Sequence, residues 1–249
     1  MKFITEKNEI VDCLQMGASI AERRQTIPIL ANLKIVAMDG KLEITATDLE
    51  IQLKTVSEVK EVIEEGETTV SARKMSELCR SLPDKEALEF NLNNGKLTVS
   101  SKNFHADFAT ISALDFPELD IKEETDSLPI ESKTLKRLLN KTAFCMASQD
   151  VRYYLNGLLV EYKEGNINAV ATDGHRLALA TSQLKETIKE AEGKRQIIPR
   201  KAVLELAKIL REDNSNIKLS FGNSSLRIKD INLDFSTKLI DGKFPDYEK

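Results

Sequence analysis

Two histidines in 249 residues leave little from which to build a His-rich metal site. The three cysteines, Cys13, Cys79 and Cys145, are an odd number. None sits in a Cys-x-x-Cys pair or has a second ligand at zinc spacing, so neither a disulfide framework nor a zinc module is expected. No apolar run approaches the roughly 18 residues of a membrane span, and the opening Met1-Lys2-Phe3-Ile4-Thr5-Glu6 meets an acid too early for a secretory signal. Only 10 Gly and 6 Pro accompany 41% hydrophobic and 31% charged residues, which excludes a disordered or fibrous chain. GxGxxG, Walker A, HExxH and GxSxG patterns are all missing. The expectation is a soluble, cytoplasmic chain with no metal or cofactor, long enough for two ordinary domains.

What is present is an uneven charge. The net charge of −4 speaks against nucleic acid, yet three segments with helical periodicity carry an excess of cations. Residues 132–148 hold Lys133, Lys136, Arg137 and Lys141 with no acid. Residues 199–211 hold Arg200, Lys201, Lys208 and Arg211 against Glu205, and residues 71–82 hold Arg73, Lys74 and Arg80 against Glu77. Cations gathered on a few helices present a positive face to phosphate while the remaining surface repels it.

The chain is also written twice. At an offset of 125, Asn32-Leu33-Lys34-Ile35 lies over Gly157-Leu158-Leu159-Val160, Ala46-Thr47-Asp48 over Ala171-Thr172-Asp173, and Ile10 and Leu14 over Leu135 and Leu139. At 127, Arg73-Lys74 lies over Arg200-Lys201, and at 128 Asp115-Phe116-Pro117 lies over Lys243-Phe244-Pro245. So long a period marks a duplicated domain, not a solenoid. The cut falls near residue 125, giving domains 1–125 and 126–249.

Each copy reads as two amphipathic helices and several short alternating strands. Ser132 is the expected N-cap of a helix running to Ser148, with Leu135, Leu138, Leu139 and Met146 on its apolar stripe. A second helix follows Pro199. Asp39-Gly40 and Asn94-Gly95 between alternating runs signal hairpins. The fold class is α+β, two helices laid on antiparallel sheet in each copy.

One polar cluster, Thr172-Asp173-Gly174-His175-Arg176, invites chemistry, since Asp173 and His175 have the makings of an acid–base pair in a hydrolase or lyase. Turn formation after a strand explains the same residues. Copy one keeps Thr47-Asp48 but continues Leu49-Glu50, which favours repeated architecture and leaves Gly174-His175-Arg176-Leu177 as the functional difference.

Several strings carry a resemblance: Ile27-Pro28-Ile29-Leu30-Ala31-Asn32-Leu33, Ala46-Thr47-Asp48-Leu49-Glu50, Ala72-Arg73-Lys74, Gln149-Asp150-Val151-Arg152-Tyr153-Tyr154-Leu155-Asn156-Gly157, Ala171-Thr172-Asp173-Gly174-His175-Arg176-Leu177 and Lys243-Phe244-Pro245-Asp246-Tyr247. Over its whole length the chain resembles the bacterial DNA polymerase III β subunit, the sliding clamp. The resemblance implies a non-enzymatic processivity factor of three such domains per chain. Two chains close head to tail around double-stranded DNA, with helices lining the hole.

The sequence stops where the family enters its third domain, so the expectation is a fragment carrying the first two domains, unable to close the ring. A two-domain clamp closing as a trimer is the alternative that length alone allows. For DNA the resemblance and the charge count point to Arg24, Arg73, Lys136, Arg137, Gln149, Arg152, Tyr153, Tyr154, Arg200 and Lys201. For short peptide motifs of polymerase III subunits, the clamp loader and other clamp-binding proteins, it points to Leu155, Thr172, Gly174, His175, Arg176, Leu177 and Pro245. For the homodimer ring interface it points to Lys74, Leu78 and Phe108.

Overall fold

A computed structural model describes residues 1–22, 27–83, 85–119, 127–184 and 191–248. The chain divides into two compact units, Met1–Leu119 with Asn232–Asp234, and Asp120–Ile231 with Phe235–Lys249. The cut expected near residue 125 falls outside the described residues.

Unit 1 runs β1 (Lys2–Glu6), α1 (Lys7–Ile20), β2 (Asn32–Met38), β3 (Lys41–Thr47), β4 (Ile51–Glu58), β5 (Glu61–Glu64), β6 (Gly66–Ser71), α2 (Ala72–Ser81), β7 (Ala87–Asn93), β8 (Lys96–Ser101) and β9 (Phe104–Ile111). Its strands follow the order β4-β3-β2-β6-β9-β8-β7-β1-β5. Period-2 alternation puts Leu33, Ile35 and Ala37 of β2 and Leu42, Ile44 and Ala46 of β3 on one buried face. On that face lies α1, whose Ile10, Cys13, Leu14 and Gly17 recur at helical spacing. Its start is a capping box, in which the Glu9 carboxylate accepts the Glu6 N–H at 2.8 Å. At Gly17 a Cβ would stand 2.7 Å from Leu33 Cδ2, so a side chain there would have to push that methyl aside.

Unit 2 repeats the plan: β10 (Ser127–Glu131), α3 (Ser132–Thr142), β11 (Gly157–Lys163), β12 (Asn166–Thr172), β13 (Leu177–Gln183), β14 (Arg195–Pro199), α4 (Arg200–Ile209), β15 (Asn216–Phe221), β16 (Ser225–Lys229) and β17 (Leu233–Lys238). Its strands run β13-β12-β11-β14 and β10-β15-β16-β17. The helices α3 and α4 pack on each other and on the first of these sheets.

The expected fold class stands, with three corrections of detail. Asn32 faces Ser71 across β2 and β6, and Gly157 faces Pro199 across β11 and β14. The second helices therefore correspond at an offset of 128, and Arg73 lies over Lys201, not over Arg200. Ser132 is the first residue inside α3 and not its cap; Glu131 takes that place, and Ser132 Oγ donates to the Arg211 carbonyl at 3.0 Å. Finally, α3 stops at Thr142 and a 3-10 turn, Ala143–Cys145, follows. In it and just after it, carbonyls are taken by distant arginines, Phe144 O by Arg176 Nη2 at 2.9 Å and Met146 O by Arg200 Nη1 at 3.0 Å. Met146 stays buried, so its apolar spacing was a true core signal carried by a different backbone.

Candidate DNA- and peptide-binding surfaces

Each helix that read as basic buries its apolar stripe and turns most of its cations outward. On α2, Ala72, Met75, Ser76 and Cys79 are buried while Arg73, Lys74 and Arg80 are exposed. Arg73 leans on Glu77 one turn away, 2.8 Å from Nε to the carboxylate, with 75% of its side chain still in solvent. On α3, Lys133, Arg137 and Lys141 are exposed on the face opposite Leu135, Leu138 and Leu139. On α4, Lys201 and Lys208 are exposed, Lys208 bridging to Glu205 at 2.8 Å.

Two of the residues expected to meet DNA are otherwise engaged. Lys136 has only 17% of its side chain exposed and pairs with Glu212 at 3.2 Å. Arg200, half-buried, spends its guanidinium on the Met146 carbonyl. Arg24 lies outside the described residues.

Between α3 and β11 the chain makes a loop that carries four more of the expected residues. Asn156 fastens it at both ends of Asp150, accepting from the Asp150 N–H at 2.9 Å and donating to its carbonyl at 2.8 Å. Gln149 is exposed in the left-handed region at φ +58. Arg152 forks onto Asp150, Nε at 3.1 Å and Nη2 at 2.9 Å. The two tyrosines part company here. Tyr153 is exposed, whereas Tyr154 is half-buried against the apolar cluster of Leu159, Val170, Ile197 and Phe244. Expected as a DNA residue, Tyr154 is placed as part of that cluster.

The Thr172–Arg176 turn is fixed by its own backbone. Thr172 Oγ1 donates to the Arg176 carbonyl at 2.8 Å and accepts the Gly174 N–H at 3.1 Å. Asp173 Oδ1 accepts the N–H groups of His175 and Arg176, both at 3.0 Å, and its Oδ2 takes Arg176 Nε at 2.9 Å. Copy one builds the same turn from Thr47 and Asp48: Thr47 Oγ1 donates to the Ile51 carbonyl and accepts Leu49 N–H, and Asp48 Oδ1 accepts from Glu50 and Ile51. The left-handed position falls on Leu49 at φ +73 in one copy and Gly174 at φ +88 in the other.

The hydrogen bonds to its carboxylate hold Asp173 down to about 2, and those from Arg152 do the same for Asp150. A carboxylate held so low is unsuited to exchanging a proton with His175 near neutrality. Because the folded values lie below the unfolded value of about 3.9, the stability that both turns add is complete above about pH 4. It drains as pH falls toward 2. Carboxyl-carbon NMR titration should find both residues still ionised at pH 3, with the amides of His175 and Arg176 losing exchange protection below it.

The outer face of the β13-β12-β11-β14 sheet is apolar as well. Register aligns Ile197, Leu159, Val170 and Leu179 in one row across the four strands, with Thr172 beside Leu177 in the next pair. The segment after β17 covers part of this row. Phe244, 5% exposed, packs on Leu159, Val170 and Ile197, and Ile240 N–H bonds the Ile197 carbonyl at 2.9 Å. Farther on, the Tyr247 hydroxyl donates to Glu161, and Lys163 pairs with Glu248 at 2.8 Å. Burial first and the Glu161 contact second push the Tyr247 phenol up to about 12.

Leu177 and Leu179, about half exposed, are left uncovered in the same sheet, with Pro245 exposed next to Phe244 in sequence. Of the residues expected to take peptide, Thr172 and Leu177 are cross-strand partners, Gly174, His175 and Arg176 form the turn that joins them, and Leu155 is buried. Val170, Leu179 and Phe244 were not among the expected site residues.

For the ring interface, Lys74 is exposed and Leu78 half-buried on α2, while Phe108 is buried within unit 1. Its strand, β9, pairs with β8 from Phe104 to Ala109 but with β6 only at Thr110 and Ile111. Among the described residues, no strand pairs with the other side of its first six residues.

The duplicated unit of two helices on antiparallel sheet, with cations on the helices and an apolar row on the outer sheet, is the architecture of the DNA clamps. Residues 1–120 match the DNA polymerase III beta subunit N-terminal domain, and residues 129–246 match its central domain. The beta sliding clamp of Pseudomonas putida is 38% identical over all 249 residues, and that of Escherichia coli K12 is 36% identical. In both cases the chain spans 67% of the relative's length. Among solved structures, a Pseudomonas aeruginosa DnaN sliding clamp bound to griselimycin superposes with a TM-score of 0.95 at 38% identity, covering all of this chain and 67% of that one. The Caulobacter crescentus pol III beta follows at 0.91 and 30%, covering all of this chain and 68% of that one. The chain belongs to the DNA polymerase III β-subunit family.

Proposed function

We propose that this chain works as a clamp does, as a binding scaffold with no catalytic step of its own, holding duplex DNA without regard to sequence and offering its outer groove to replication proteins. The observation that carries the reading is the outward face of α3, where Lys133, Arg137 and Lys141 stand exposed on a helix without an acid. Arg73 and Lys201, which occupy equivalent positions in the two copies, repeat the pattern on α2 and α4. Exposed cations spaced along helix faces suit phosphate contacts, which carry no sequence information, so the contacts are loose and quickly exchanged. Gln149 and Tyr153 add polar and stacking contacts from the loop before β11.

The groove of Thr172, Leu177, Leu179, Phe244 and Pro245, with Gly174, His175 and Arg176 at one end, suits a short peptide with apolar anchors and a few oriented polar groups. Polymerase III subunits and clamp-loader proteins are the partners this reading assigns to it. Lys74, Leu78, Phe108 and that side of β9 are assigned to contact with a further clamp unit, and the setting is the bacterial cytoplasm. Among the described residues no helix is long and apolar enough to cross a membrane.

Titrating a fluorescent duplex between about 50 and 200 mM salt tests the DNA claim. The log of the affinity should fall linearly with log salt, at about −0.9 per phosphate engaged, with equal slopes for unrelated sequences. Binding that ignores salt would overturn it.

A further inference from the structure

The family resemblance points Arg152 to DNA and the proposed function gives the Thr172–Arg176 turn to the peptide groove; the structure puts the two in contact. A Cβ at position 174 would lie 2.9 Å from Arg152 Nη1, 3.0 Å from Nη2 and 3.3 Å from Cζ, so the guanidinium rests on bare Gly174 backbone. Arg152 Nη2 also donates to the Asp173 carbonyl at 3.3 Å. Its other attachment is Asp150, which Asn156 holds in place from both sides. Arg152 thus ties the loop that faces solvent with Gln149 and Tyr153 to the turn that carries His175, Arg176 and Leu177. The tie is reachable, because 47% of the Arg152 side chain is exposed.

We infer that Arg152 couples the two surfaces: a phosphate of bound duplex competes with Asp150 for its fork, lifts the guanidinium off Gly174 and frees the turn at the polar end of the peptide groove. This rests on the DNA reading above. A phosphate presents the same paired oxygens as a carboxylate to a planar fork, so the exchange replaces one bidentate partner by another. The turn keeps its Thr172 and Asp173 bonds but loses the cover over Gly174. By linkage, whatever the groove gains or loses when DNA is present, DNA gains or loses when the groove is filled.

The test follows the backbone amide resonances of Gly174, His175 and Arg176 while a 16-base-pair duplex is titrated into the whole chain. All three should shift in step with binding, and the His175 and Arg176 amides should exchange about five-fold faster at saturation. Arg152→Ala should show the freed turn without DNA and no further movement with it, while binding the duplex only two- to five-fold more weakly through the helix cations. Arg152→Lys keeps the charge without the fork; its duplex affinity should fall between those of the parent and the alanine variant, while the turn is as free as alanine leaves it.

Asp150→Asn removes the competing carboxylate, and the resonances should then move at lower duplex concentration. If the duplex binds with the expected salt dependence and these amides stay still, the coupling is wrong and the DNA reading stands. If the duplex does not bind at any salt, both fall together.

Discussion

Replacing Phe244 with alanine should lower the unfolding free energy of unit 2 by about 3–5 kcal/mol, the usual cost of deleting a buried aromatic ring. The ring is 5% exposed and packs on Leu159, Val170 and Ile197. Beneath it β11 and β12 are fixed by antiparallel pairing on both sides and have little room to collapse into the void. Urea unfolding should show a lower midpoint with an unchanged slope. Phe244→Leu, which keeps most of the volume, should cost less than about 1.5 kcal/mol. Because the same ring forms the covered end of the groove, the alanine variant should also fail to hold an apolar peptide under conditions where the leucine variant holds it.

The second large effect is electrostatic. Each phosphate contact contributes a factor of about eight to duplex affinity at 0.1 M salt, given a slope near −0.9. Arg137 and Lys141 stand one turn apart on the exposed face of α3. Reversing both (Arg137→Glu, Lys141→Glu) should therefore weaken binding by about fifty-fold or more and reduce the salt slope by about two. Lys141 also sits in the last turn of its helix, where a cation favours the carbonyl end, so the double variant should lose roughly 0.3–1 kcal/mol of stability as well. Circular dichroism separates that small loss from the binding defect. A double variant that binds duplex as the parent does would remove α3 from the DNA surface.

Much of the fold was legible because its signals are local. Asp39-Gly40 and Asn94-Gly95 put both central turn residues at positive φ, as the dipeptides announce. A third hairpin of the same kind, at Glu164-Gly165, was hidden because glutamate carries no preference for that conformation. The end of α3 was illegible for a different reason. Its apolar spacing continues to Met146, whereas the backbone leaves the α-helix at Thr142, and two arginines distant in sequence take carbonyls of the segment that follows.

The cations were easy to count and hard to aim. Arg200 and Lys201 are neighbours, yet one is half-buried with its guanidinium on the Met146 carbonyl and the other is exposed. The outer apolar row went unread because β11 and β12 are apolar on both faces, so Val170 looked like one more residue of a continuous buried run. Only the register shows that it points away from the helices.

The turn shared by the two copies has a consequence for how such a site arises. The hydrogen bonds that the two turns share come from a threonine, an aspartate and main-chain groups, so the two residues after the aspartate are spare positions. In one copy they are filled by Leu49 and Glu50, and the leucine tolerates a backbone conformation it does not prefer. In the other they are Gly174 and His175, and the missing side chain leaves a flat seat just large enough for a guanidinium. A scaffold that folds without consulting two of its residues can lend them to recognition in one repeat while the sister repeat keeps them silent.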